Sequence, residues 1–146
     1  MMAPWLPAAL ASGCCIAVHY LFLRAASGRI GDTLGALVLE ATAAVGIGFG
    51  FLFGVRGAPL PTTKLGIAFA VASGLAISVG SILLFGALRK GGPVASTGTI
   101  VLGGGVTLSA LAAPFIFGEG FTLRRGIGVA LGIAAIAILS GEGSAP

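Results

Sequence analysis

The chain has 146 residues, of which 57% are hydrophobic and a further 26 are glycine, with eight Lys or Arg against four Asp or Glu. A water-soluble domain of this size needs far more charge to cover its surface, so the composition excludes one. The net charge of +4 forms no nucleic-acid-binding patch, because the basic residues stand singly or in pairs between long apolar runs, as membrane-interface anchors do.

Five apolar segments follow in chain order, each long enough for a helix and none alternating with the period of two that a membrane barrel needs. The expected fold class is an all-α integral membrane protein, with five transmembrane helices at about 5–23, 33–55, 65–88, 94–117 and 124–140 in one bundle covering 1–146. The first segment stops at Arg24, before "AASGRIGD". It holds Cys14 and Cys15, whose side chains on a helix point about 100° apart, which leaves packing rather than a mutual disulfide. "ASGC" (11–14) looks like a lipoprotein cleavage box, but no Lys or Arg precedes it, so this segment is expected to stay as a span.

The second segment, "GALVLEATAAVGIGFGFLFGV", carries one carboxylate, Glu40, well inside it and ends at the linker "RGAPLPTTK". Its Gly46, Gly50 and Gly54 recur every four residues, and the fifth segment repeats that spacing in Gly128 and Gly132. Small residues so spaced let helices approach closely in lipid. The third segment adds Ala70, Ser73, Gly74, Ser78 and Ser81 along one broad face and ends at "RKGGP". The fourth, "ASTGTIVLGGGVTLS" and onward, brings Ser96, Thr97 and Thr99, then Gly103, Gly104 and Gly105. Three glycines weaken a helix by roughly 1 kcal/mol each relative to alanine. They suit a hinge or a backbone surface beside substrate, as in the broken helices of transporters, and they suit close packing almost equally. The fifth is apolar only from Gly126 and spans if Arg124 and Arg125 snorkel outward. Glu119 lies in the loop before it and is expected to anchor that turn.

Orientation follows Lys and Arg in the short loops. The loops after the first and third segments hold Arg24, Arg29, Arg89 and Lys90, and those after the second and fourth hold Arg56, Lys64, Arg124 and Arg125. The balance of four against four favours neither orientation. A chain without bias inserts both ways, and two opposed copies reproduce the inverted repeats of many transporters. The expected assembly is an antiparallel homodimer, or a heterodimer with a homologue.

"FGALRKGGPVASTGTIVLGGGVTLSALAAPFIFGEGFTLRRGIGVALGIAAIAIL" resembles the end of an EamA-like domain of the drug/metabolite transporter superfamily. A helix ends before a short turn, a small-residue helix with a late proline follows, and a Gly-Glu pair, a basic loop and a final "IG" helix close the pattern. Pro114, Gly118, Glu119, Ile127 and Gly128 stand in those positions. The resemblance extends over the chain as a five-helix unit. Most relatives join two such units, so one unit implies a dimer. It also implies a multi-pass protein of the bacterial inner membrane that exports metabolites, amino acids or drugs by alternating access. The four-helix small multidrug resistance proteins look similar over helices one and three to five. They couple export to protons through a glutamate in the first helix, a position with no acid here, so that coupling does not carry over.

Chemistry centres on Glu40 and His19. Glu40 lies eight residues past Asp32, about 12 Å along a helix, and His19 five residues before Arg24, about 7–8 Å inward from the same side. Ala36, Ala43 and Ala44 keep the Glu40 face shallow. An acid in hydrocarbon pairs, protonates or faces a cavity. The functional expectation is that Glu40 lines a transport cavity, its proton adjusted by His19 or exchanged for a cationic substrate group. The structural alternative is a hydrogen bond to Ser or Thr of a neighbouring helix. Ser96, Thr97, Thr99, Gly103, Gly104 and Gly105 are the expected cavity lining on helix four. No phosphate-cradling loop and no Cys/His metal set is present, so the reading is not an enzyme, needs no cofactor or metal, and allows only secondary transport of a small-molecule substrate. Two other readings are a lipid-carrier flippase subunit, with Arg89 and Lys90 holding a phosphate headgroup, and a non-transporting membrane assembly protein.

Overall fold

The computed structural model describes residues 6–54 and 62–141. Trp5, Val55, Arg56, the linker up to Pro61 and the tail from Glu142 lie outside the described residues, and the expectations placed on them rest on sequence. Among the described residues the fold is all-helical: α1 Leu6–Ala26, α2 Asp32–Leu52, α3 Lys64–Arg89, α4 Val94–Phe117 and α5 Leu123–Leu139.

The helix ends follow local chemistry. α1 continues past Arg24 to Ala26. α2 starts with Asp32, whose charge complements the positive end of the helix dipole. It stops at Leu52, earlier than the 33–55 segment predicts, because Gly54 turns left-handed at φ +84° and its N–H reaches back to the Phe51 carbonyl. Gly54 is therefore a helix terminator and stands outside the helical glycine stripe expected with Gly46 and Gly50. α4 runs unbroken through Gly103–Gly105 and past Pro114, ending at Gly118 with φ +66°. No hinge interrupts it at the three glycines. α5 begins at Thr122, whose hydroxyl accepts the Arg125 N–H at 3.2 Å, a side-chain N-cap. Glu119 anchors this turn as expected, through Arg125 at 2.6 Å.

Helices α1 to α4, of 21, 21, 26 and 24 residues, are long and apolar enough to cross a membrane. α5 has 17 residues, about 25 Å at ~1.5 Å per residue, short of the ~30 Å hydrocarbon core. Four of the five expected spans thus meet the requirement, and the chain is read as a multi-pass membrane protein. The exposed side chains agree: Phe115 is 91% exposed, Leu123 82% and Phe53 81%, with large apolar residues outward on every helix. Water-facing surfaces do not carry such contiguous apolar area, and acyl chains accept it.

The chain divides into two compact units, Ala25–Arg89 and Met1–Arg24 with Lys90–Pro146. The first holds the hairpin of α2 and α3, whose buried residues are Gly35, Ala36, Ser81, Leu84, Phe85 and Leu88. The second holds α1 and the hairpin of α4 and α5, with Tyr20, Leu23, Ser96, Gly98, Thr107 and Val129 buried.

Candidate functional site

Three contacts define the register of the α2–α3 hairpin. Asp32 at the start of α2 meets Arg89 at the end of α3, with Nε at 2.9 Å from both carboxylate oxygens and a terminal nitrogen at 2.8 Å from Oδ2. One turn inward, Gly35 faces Phe85 so closely that a β-carbon there would sit 2.7 Å from the ring. Further in, the Ser81 hydroxyl donates to Glu40 Oε1 at 2.6 Å. Residue numbers rise along α2 as they fall along α3, so the helices are antiparallel.

This register sets the depth of Glu40. It lies eight residues from Asp32, and Ser81 lies eight from Arg89, so both helices place the pair about 12 Å from the ion pair. The carboxyl therefore lies well inside two helices that are each long and apolar enough to cross a membrane. Glu40 is half-buried, and Ala36 on its face is buried. The hydrogen bond to a serine of a neighbouring helix is the structural alternative made real. It uses one carboxyl oxygen and leaves the rest of the group for a proton or a cation.

Ser81 is the residue that sequence reading left without a role. It belonged to the small-residue face of the third segment, and its spacing from "RKGGP" matches that of Glu40 from "AASGRIGD". An antiparallel pairing of those two turns would have found it. Ser78, on the same face, instead bonds back to the Gly74 carbonyl at 2.9 Å within its own helix.

The remaining candidates lie in the other unit. Gly98 admits the Tyr20 ring, which lies 3.3 Å from where a β-carbon would be. Alongside runs a groove of ≈ 600 Å³ between α1 and α4, lined on one side by Gly13, Ile16, Ala17, Tyr20 and Leu21. The α4 side includes Thr99 and Gly103 among apolar neighbours. Two of the six expected cavity residues therefore line an actual groove. A β-carbon at Gly104 would lie 3.9 Å from Ile136 of α5, and one at Gly103 4.0 Å from the same side chain, so this part of α4 faces α5. A β-carbon at Gly105 would meet nothing within 4 Å, Ser96 is buried, and Thr97 is half-buried in the first turn, its N–H on the Pro93 carbonyl. His19 is half-buried with its ring edge-on to Tyr20, the centroids 5.5 Å apart.

The packing glycines separate in the same way. A β-carbon at Gly132 would sit 2.6 Å from Thr107 Oγ1, so α5 meets α4 there. Gly46, Gly50 and Gly128 meet nothing within 4 Å inside the chain. Cys14 and Cys15 are free and exposed, and no group of three potential metal ligands occurs among the described residues.

Chemically, the chain offers a carboxyl well inside an apolar helix with one hydroxyl donor and, separately, an apolar groove. Comparison with family models, with curated proteins and with solved structures gives no match.

Proposed function

We propose that this chain is half of a small secondary-active transporter, working as a dimer by alternating access and exporting small metabolites or drugs. The observation that carries the reading is Glu40 beside Ser81. An ionisable group near the membrane midplane is costly, and its common role is to move a proton or bind a charged substrate group. A single serine donor satisfies part of the carboxyl and leaves capacity for a ligand. The resemblance of the C-terminal half to EamA-like units supports the same class and a bacterial inner-membrane location.

In this reading α5 completes the five-span unit, with Arg124 at its start reaching outward to the headgroups. The even division of basic residues supports pairing of two opposed copies, or of this chain with a homologue. Gly46, Gly50 and Gly128, open within the chain, offer faces for that contact. The flippase alternative loses part of its basis, because Arg89 is already clasped by Asp32 and is not a simple headgroup ligand.

Flux through proteoliposomes tests the proposal. Purified wild type should drive pH-gradient-dependent uptake of at least one member of a panel of amino acids, amines and cationic drugs. Glu40→Gln should abolish the gradient dependence while leaving the protein folded. Equal flux in both proteins across the panel would reduce Glu40 to a packing element.

A further inference from the structure

We propose that Cys15 and His19 of α1 form a two-coordinate site for one soft monovalent metal ion, Cu(I), held between the cysteine sulfur and an imidazole nitrogen. The inference is independent of the transport reading and of Glu40.

The two residues lie four apart in an unbroken helix, so they share a face one turn apart. Their β-carbons are then about 5–6 Å apart. Helical side chains lean towards the N-terminus, which brings the longer imidazole back over Cys15. Metal bonds of ~2.3 Å to sulfur and ~2.0 Å to imidazole nitrogen span about 4 Å in line, within that reach. Ala17, on the α1 wall of the apolar groove, is two residues from each, about 200° round the helix. The pair therefore looks away from the groove, and packing against α4 does not occupy it.

Both groups are available. Cys15 is a free, exposed thiol. His19 is half-buried, its ring edge-on to Tyr20, and it has no hydrogen bond among the described residues. An imidazole with neither nitrogen paired, in a helix apolar enough to cross a membrane, is a polar group without compensation. A metal bond supplies that compensation.

Ligand number and charge choose the metal. No group of three His, Cys, Asp or Glu able to hold a metal occurs among the described residues, which excludes a four-coordinate Zn(II) site there. Cu(I) is satisfied by two ligands, and thiolate and imidazole both suit it. On binding, the thiol proton leaves to solvent and the metal takes its place. Thiolate and Cu(I) charges then cancel, giving a neutral centre that an apolar helix tolerates, whereas a divalent ion would leave a net positive charge. Cys14 is not a third ligand, because it stands about 100° round the helix from Cys15.

Anaerobic titration of the full chain in detergent with Cu(I), against a chromophoric Cu(I) chelator, tests this. Wild type should take up one ion per chain, and X-ray absorption at the copper edge should show one sulfur and one nitrogen ligand. Cys15→Ser and His19→Gln should each weaken binding about 100-fold, the most that loss of a supporting contact alone costs a metal site. Cys14→Ser should bind as wild type does. Cys15→His combined with His19→Cys exchanges the ligands at the same spacing and should restore most of the affinity. Excess Zn(II) should not displace the copper. Helical circular dichroism shows which variants are folded, and the wild-type absorption spectrum decides the matter should a single variant fail to fold. No uptake by wild type, or one ion per two chains, would overturn the proposal. So would a copper spectrum without nitrogen, displacement by Zn(II), or a loss in Cys14→Ser equal to that in Cys15→Ser.

Discussion

The Ser81 hydroxyl donates to Glu40 Oε1 at 2.6 Å, joining the one acid inside the apolar part of α2 to the opposite position on α3. The contact serves the fold and the proposed chemistry together, and substitutions separate the two. Ser81→Ala leaves the carboxyl without its donor. Interhelical hydrogen bonds in membranes are worth about 0.6–2 kcal/mol, so a loss of about 1 kcal/mol is expected in thermal or denaturant unfolding in detergent. Glu40→Gln keeps an acceptor for Ser81 and should cost less. A double variant, Ser81→Ala with Glu40→Leu, should recover part of the loss, because no polar group is then left unpaired. A fully additive cycle would mean that the bond carries no energy.

At the membrane face, Arg89 grips Asp32 through two nitrogens. Arg89→Lys keeps the charge and loses the fork geometry, so it should lower the unfolding midpoint. Asp32→Asn should lower it further. Both deficits should shrink as salt is raised, since the Arg89 side chain is 52% exposed and open to screening. A charge-exchanged pair, Asp32→Arg with Arg89→Asp, should regain part of the midpoint at low salt.

Glycines in close contact differ from glycines on open faces. Gly35→Leu drives a side chain into the buried Phe85 ring, and Gly132→Leu drives one into Thr107. Overpacking of this kind costs about 1–3 kcal/mol in unfolding measurements. Gly46→Leu and Gly50→Leu meet open space within the chain and should leave monomer stability unchanged or slightly raised. Should either of these two convert a dimer to a monomer in sedimentation or native mass measurements, that face is the interface between copies.

Topology is tested with single cysteines in a background where Cys14 and Cys15 are serine. A cysteine at Ser27, in the turn between α1 and α2, should label from both sides of sealed membrane vesicles in comparable amounts. Labelling from one side only would end the opposed-copy dimer and leave a parallel or heteromeric assembly.

The N-cap of α5 allows a smaller test. Thr122→Ala removes the acceptor of the Arg125 N–H and should cost about 1 kcal/mol of stability, with Thr122→Ser near wild type. The loss should appear as faster amide exchange in the first turn of α5.

Hydropathy belongs to each segment alone, so the sequence by itself determined the helical class, the order of the helices and the limits of α4 to the residue. It also marked Glu40 as the exceptional group and Glu119 as part of its turn. What Glu40 touches depended on pairing α2 with α3 across a separation of 41 residues. Whether a glycine packs or faces outward depended on which neighbour arrived: Gly132 met Thr107, while Gly46 and Gly50, with the same spacing signal, met nothing. Gly54 fell outside its helix because a left-handed turn placed it there, a backbone choice invisible to a four-residue repeat. Only the tertiary structure decided these matters. Burial in lipid is a property of composition, while a hydrogen bond or a close contact exists only once two distant surfaces are brought together in a given register.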